Sequence, residues 1–120
     1  MDDQNKRSTL ETNYCLFEYN IGSAFSLDND ILLDNISTIQ HGYSDSSGAG
    51  VALKHSAIAM FVKAVFYNNT SAKNGGVASL SYESEFLSTS CVLIGNIAEN
   101  AGGIANAELD SFFIIENSKI

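Results

Sequence analysis

The chain has 120 residues and a formal net charge of −8, from 6 Lys plus Arg against 14 Asp plus Glu. That length suits one domain, and the acidity argues against nucleic acid or an anionic membrane as a partner, because either needs a basic face. Proline and tryptophan are absent and Asn, Ser and Gly are abundant, yet 45% of residues are hydrophobic, which excludes disorder by composition; no apolar run reaches transmembrane length.

Residues 1–13 are polar, carry Lys6 and Arg7, and read as an N-terminal tail. No apolar signal-peptide segment follows them. From residue 14 to 120 the chain repeats. The first unit, 15–36, opens with Cys15, Phe17 and Asn20 and continues through Ile21-Gly22-Ser23-Ala24-Phe25 to the alternating Ile31 and Leu33. The second, 37–63, places Ser37 and Ile39 22 residues after Cys15 and Phe17, then runs through Gly48-Ala49-Gly50-Val51-Ala52 to Ile58, Met60 and Val62. The third, 64–90, carries Ala64, Phe66, Asn69 and Asn74-Gly75-Gly76-Val77-Ala78. The fourth, 91–117, carries Cys91, Leu93, Asn96 and Ala101-Gly102-Gly103-Ile104-Ala105. Ser118 to Ile120 begin a fifth.

The two Gly-Gly pairs are 27 residues apart; the Gly48 copy is placed 26 before the first pair, and the Ile21 copy 27 before that. Three columns also keep a spacing of 27: Ile39, Phe66, Leu93, Ile120; Leu33, Met60, Leu87, Ile114; and the small Ser37, Ala64, Cys91, Ser118. Apolar residues alternate within short segments rich in β-branched and aromatic side chains, which means strands rather than helices. Short strands in a fixed-length unit predict an all-β fold, a parallel β-helix of about four coils of roughly 27 residues. The column residues are expected to stack along the inside, with Lys54, Lys63, Glu83 and Ser88 outside. The glycines supply sharp turns. Asn20, Asn69 and Asn96 each follow the core residue by three, and a structural ladder of stacked Asn side chains is expected of them.

The run Phe66-Tyr67-Asn68-Asn69 leading to Gly75-Gly76-Val77 resembles the repeats of chlamydial polymorphic outer membrane proteins, as does Leu93-Ile94-Gly95-Asn96 leading to Gly102-Gly103-Ile104. Here the glycines precede Val-Ala and Ile-Ala, where the family usually has Ala-aliphatic. The resemblance implies a right-handed parallel β-helix related in architecture to pectate lyases. It also implies an adhesin-like, surface-exposed or secreted segment whose transmembrane barrel lies elsewhere.

Polysaccharide lyases of that architecture need a basic residue, often Arg, and Asp clusters. Arg7 is the only arginine and lies outside the repeat; Lys54, Lys63 and Lys73 have no Asp group beside them. The acids Asp28, Asp30 and Asp34 face His55, Ala57 and Phe61 one coil on, so they form no ladder for acid catalysis. Asp28-Asn29-Asp30 reads as a solvated turn rather than the alternative, a weak calcium site, for which oxygen ligands are plentiful there. His41 reads as a turn residue, and His55 sits in another turn, so neither a catalytic centre, a metal site nor a cofactor is expected. Cys15 and Cys91 share a column but lie three coils apart, ~14 Å, beyond the ~7 Å that a disulfide allows. Both are expected free and inward-facing. Sequons occur at Asn35, Asn68 and Asn69.

Ile120 ends the chain inside its apolar column, so the chain is expected to be part of a longer solenoid or to be covered there by a partner. The function expected is a non-enzymatic, extracellular or cell-surface structural and interaction module. Its expected partners are a host-surface protein or carbohydrate, and further β-helix coils of the same or another chain. The alternative is a partial or degraded carbohydrate-binding or carbohydrate-active β-helix of polysaccharide-lyase or hydrolase type.

Overall fold

A computed structural model describes residues 7–120. Every strand pairing in it is parallel, and the strands stack as a β-solenoid. The first coil holds β1 (Thr9–Asn13), β2 (Leu16–Glu18) and β3 (Phe25–Asp28). The second holds β4 (Ile31–Asn35), β5 (Thr38–Gln40), β6 (Tyr43–Ser44) and β7 (Val51–Lys54). The third holds β8 (Ile58–Val62), β9 (Val65–Tyr67), β10 (Thr70–Ser71) and β11 (Ala78–Leu80). The fourth holds β12 (Glu85–Thr89), β13 (Val92–Ile94), β14 (Ile97–Ala98) and β15 (Ala105–Ala107), and β16 (Phe112–Glu116) follows.

Four sheets result: β1-β4-β8-β12-β16, β2-β5-β9-β13, β6-β10-β14 and β3-β7-β11-β15. Three coils supply a strand to all four, so the complete turns number about three rather than four. The first coil meets the third sheet only through an isolated Ile21–Tyr43 bridge. Its shortness explains this. Thr9 pairs Ile31 at a spacing of 22, whereas Ile31 pairs Ile58 at 27. Four of the five extra residues of the second coil lie between Tyr43 and Val51, because Ile21 pairs Tyr43 at 22 and Phe25 pairs Val51 at 26, and the fifth lies between Lys54 and Ile58. The strands also begin earlier than the expected boundary at residue 14. Among the described residues Thr9–Asn13 pairs with β4 alone, and its side chains are mostly exposed; residues 1–6 of the expected tail lie outside the described residues.

The corners are made by single residues in the left-handed region. Ile36, Lys63, Ser90 and Asn117, at φ 61, 56, 56 and 50, follow the strands of the long sheet. Each reverses the in–out alternation, because a left-handed residue breaks the pleat. This corrects one expected column. Ala64 faces inward, and counting back from it in twos puts Val62 and Met60 inward too. With Lys63 as the corner, the count breaks, and Ala59 and Phe61 are the buried pair. Leu33, Met60, Leu87 and Ile114 therefore lie on the outer face. Ser88, expected outside, is buried at 1% exposure, and its hydroxyl lies 3.3 Å from that of Ser118.

The core is a stack of rings and aliphatic chains. Phe61 packs against Phe86 at 5.2 Å and edge-on to Phe66 at 4.9 Å, and Phe86 stacks on Phe113 at 4.8 Å. Ile39, Val51, Leu80 and Leu93 fill the space around them. Side-chain acceptors finish the corners by capping the backbone N–H of the equivalent residue one coil earlier. Ser37 Oγ accepts from Cys15 N, Cys91 Sγ from Ala64 N and Ser118 Oγ from Cys91 N. This satisfies donors that the turn geometry takes out of the sheet ladder.

Candidate interaction face

The outer side of the long sheet carries an apolar row that keeps the period of the coils. Its middle row is Glu11, Leu33, Met60, Leu87 and Ile114, in register from coil to coil. Ile31, Ile58 and Phe112 stand beside it at the first position of their strands, and Val62 at the last position of its own. Exposure is 38% for Leu33, 41% for Met60, 42% for Ile114 and 60% for Phe112. A single exposed apolar residue is ordinary, whereas a contiguous patch marks a contact surface. A shallow cavity of about 280 Å³ opens on this face between Leu33, Met60, Val62, Glu11, Asn13 and Asn35. The borders differ in charge. Asp30, Glu83 and Asp110 lie in the turns entering the strands, with Glu85 first in β12, while the far side carries Lys63 at its corner and Glu116 last in β16.

The residues singled out by the repeat lie elsewhere. Ile39, Phe66 and Leu93 are core, at 2% exposure or less, and Ile120 at the end of their column is 68% exposed. Asn69 is fully buried and links three coils. Its amide donates to Ile39 O at 2.9 Å and to Asn96 Oδ1 at 3.0 Å, and its Oδ1 accepts from Gly42 N at 3.0 Å. Asn96 Oδ1 also accepts from Asn69 N, and its amide donates to Phe66 O, both at 3.0 Å. Gly42 takes the Asn position in the second coil, so its amide is the last group the ladder caps. Gly75 and Gly102 turn the chain at φ 70 and 67. Gly76 has a different requirement: a Cβ there would overlap Gly103 O of the next coil. Pairing of Val51 with Ala78 sets Gly48 opposite Gly75 at a spacing of 27, which corrects the expected 26, and Phe25 with Val51 corrects the next step from 27 to 26.

The chemistry-bearing residues do not gather at one point. Asp28 Oδ1 lies 2.9 Å from His55 Nδ1, and the His55 ring stacks on Tyr82 at 4.9 Å; all three are exposed. His41 lies between Tyr19, at 5.2 Å, and Tyr67, at 5.5 Å, on a different corner. Asp30 caps a turn by accepting from Ser8 N at 3.0 Å. Asp34 points into the core at 3% exposure. Thr12 donates to its Oδ1, and its Oδ2 has no partner. Among the described residues, no three His, Cys, Asp or Glu are placed to hold a metal ion. Arg7 and Lys73 are exposed. Lys54 stands at a groove of about 210 Å³ lined by Ser26, Ser47, Ala52, Ser79 and Ser81. Cys15 and Cys91 are both free, the first half-buried and the second buried.

Sequence reasoning found the Leu33–Ile114 column but put it on the wrong side. The signal that could have placed it is the polarity at the following corner, where Lys63, Ser90 and Asn117 recur at 27. A recurring polar residue between two apolar rows marks a break in alternation. In comparisons with known proteins, the chain matches no family model, no curated protein and no solved structure at a significant level.

Proposed function

We propose that this chain is a non-enzymatic interaction module, a segment of a surface-exposed or secreted β-solenoid of the kind found in chlamydial polymorphic outer membrane proteins. The observation that carries this is the outer apolar row. Leu33, Met60, Leu87 and Ile114 keep the coil period yet contribute little to the core, so their regularity is a property of the surface. The F-x-x-N and Gly-Gly repeats support the family likeness. Brief protease treatment of intact cells producing the natural protein tests the location. Cleavage within this segment before lysis supports the reading, and protection until lysis overturns it.

One observation favours a second reading. The serine-lined groove beside Lys54 has hydroxyl donors and acceptors and one cation, which suits an acidic glycan. Polygalacturonate is the probe, followed by binding and by ultraviolet absorbance of unsaturated product. Binding lost in Lys54→Ala would favour this second reading, and product release would overturn the non-enzymatic one.

A further inference from the structure

We infer that the outer face of the long sheet docks an amphipathic, cationic helix of a partner protein; this rests on the interaction-module reading and names the partner's chemistry. Backbone pairing, size and charge select that occupant. First, the backbone N–H and C=O groups of β4, β8 and β12 are used by strands on both sides. The face therefore offers side chains only; a partner strand can pair only at β1 or β16, the outer strands of this sheet among the described residues, and not across the face itself.

Second, the size is that of one helix. Five strands at ~4.8 Å and five residues at ~3.3 Å make a face of about 19 by 13 Å. A helix is ~10 Å across, and its i, i+4, i+7, i+11 stripe advances about 5.5 Å per step. Against Leu33, Met60, Leu87 and Ile114 at ~4.8 Å per coil, the mismatch over three steps is about 2 Å, less than one side chain. A stable dimer needs about 800 Å² per partner, several times this face. Third, charge is complementary to a basic partner. On the entering side of the strands the acids Asp30, Glu83, Glu85 and Asp110 outnumber the one cation in the same turns, Arg7 before β1. Two copies of this chain, each at −8, repel one another, as does an anionic lipid surface.

The partner helix therefore places its apolar stripe on Met60 and Leu87 and its Lys or Arg toward Glu83 and Glu85. A short Leu/Lys amphipathic helical peptide is the probe, read by fluorescence anisotropy, with a Leu/Glu peptide of the same apolar pattern as control. The Leu/Lys peptide is expected to bind and the Leu/Glu peptide to fail. Met60→Ser with Leu87→Ser should weaken binding about tenfold, the loss of roughly one buried side chain. Glu83→Gln with Glu85→Gln should weaken it and flatten its salt dependence. Ile94→Ser with Ile97→Ser, exposed apolar residues on other sheets, should leave it within about twofold of the parent. Circular dichroism melts show that each variant is folded.

Equal binding of both peptides overturns the inference, as does indifference to the Met60 and Leu87 changes. Self-association through this face in sedimentation, or binding to phosphatidylcholine/phosphatidylglycerol vesicles, overturns it in favour of a second copy or a lipid surface. If the peptide fails while intact-cell proteolysis still cuts the segment, the helix assignment falls and the surface-module reading stands.

Discussion

Asn69→Ala is the most informative single perturbation of the solenoid. The Asn69 side chain is fully buried and makes hydrogen bonds to Ile39 O, Asn96 Oδ1 and Gly42 N, spanning three coils. Truncation leaves the Gly42 N–H buried without its acceptor and removes a donor from both Ile39 O and Asn96 Oδ1. A buried polar group without a partner costs ~1–3 kcal/mol, and each lost hydrogen bond contributes ~1 kcal/mol. The expected loss is therefore about 2–4 kcal/mol, large against the stability of a small domain. Asn69→Asp is expected to be nearly as damaging. It keeps an acceptor for Gly42 but brings a carboxylate up to the carbonyl of Ile39. Urea denaturation measures the loss, and amide hydrogen exchange locates it, with the Gly42 amide exchanging faster than in the parent. Asn100→Ala serves as control, because its bond to Asn74 is exposed, and it should cost under about 0.5 kcal/mol. An Asn69→Ala loss no larger than that of Asn100→Ala, with Gly42 exchange unchanged, would refute the ladder.

Gly76→Ala should destabilise strongly, because its Cβ meets the backbone oxygen of Gly103, whereas Gly103→Ala, whose nearest foreign atom is 3.9 Å away, should be tolerated in thermal melts. Intact mass after thiol labelling should show two free cysteines, Cys15 reacting before the buried Cys91; a protein mass two hydrogens lighter that resists labelling would contradict this. Replacing Asp34 and Thr12 together by Val should raise stability by about 1–3 kcal/mol, because the unpartnered Oδ2 leaves the core along with its one donor; urea midpoints test this.

Much of the fold was legible because the repeat is strict. A spacing of 27 between Phe66 and Leu93 sets the register of β9 on β13 directly. The Asn69–Asn96 part of the ladder was legible because Asn at a tight corner has few alternatives to bonding backbone; Asn20, expected to continue it, lies opposite Gly42, which has no side chain to carry it on. Sidedness was not legible in the five-residue strands, where both parities are apolar: Leu32 and Leu33, or Met60 and Phe61. Only a corner residue decides between them, and Lys63 at φ 56 is not a glycine that announces itself. The burial of Asp34 was hidden for the opposite reason. Its partner Thr12 sits in a stretch whose polarity reads as a tail, yet it forms a strand. The glycine registers slipped by one because Gly48-Ala49-Gly50 can align with Gly75-Gly76 in two ways, and only the strand pairing chooses.

The side of the long sheet that Met60 faces decides whether its column belongs to the surface or to the core. Only one other methionine is present, Met1, so peptide mass spectrometry after mild peroxide treatment of the folded chain reads Met60 without ambiguity. At 41% exposure, Met60 should oxidise within a few-fold of the rate of a free methionine peptide, with the thermal melt unchanged. Protection of Met60 until the chain is unfolded would place the column inside, and would contradict both the corner geometry and the interaction face built on it.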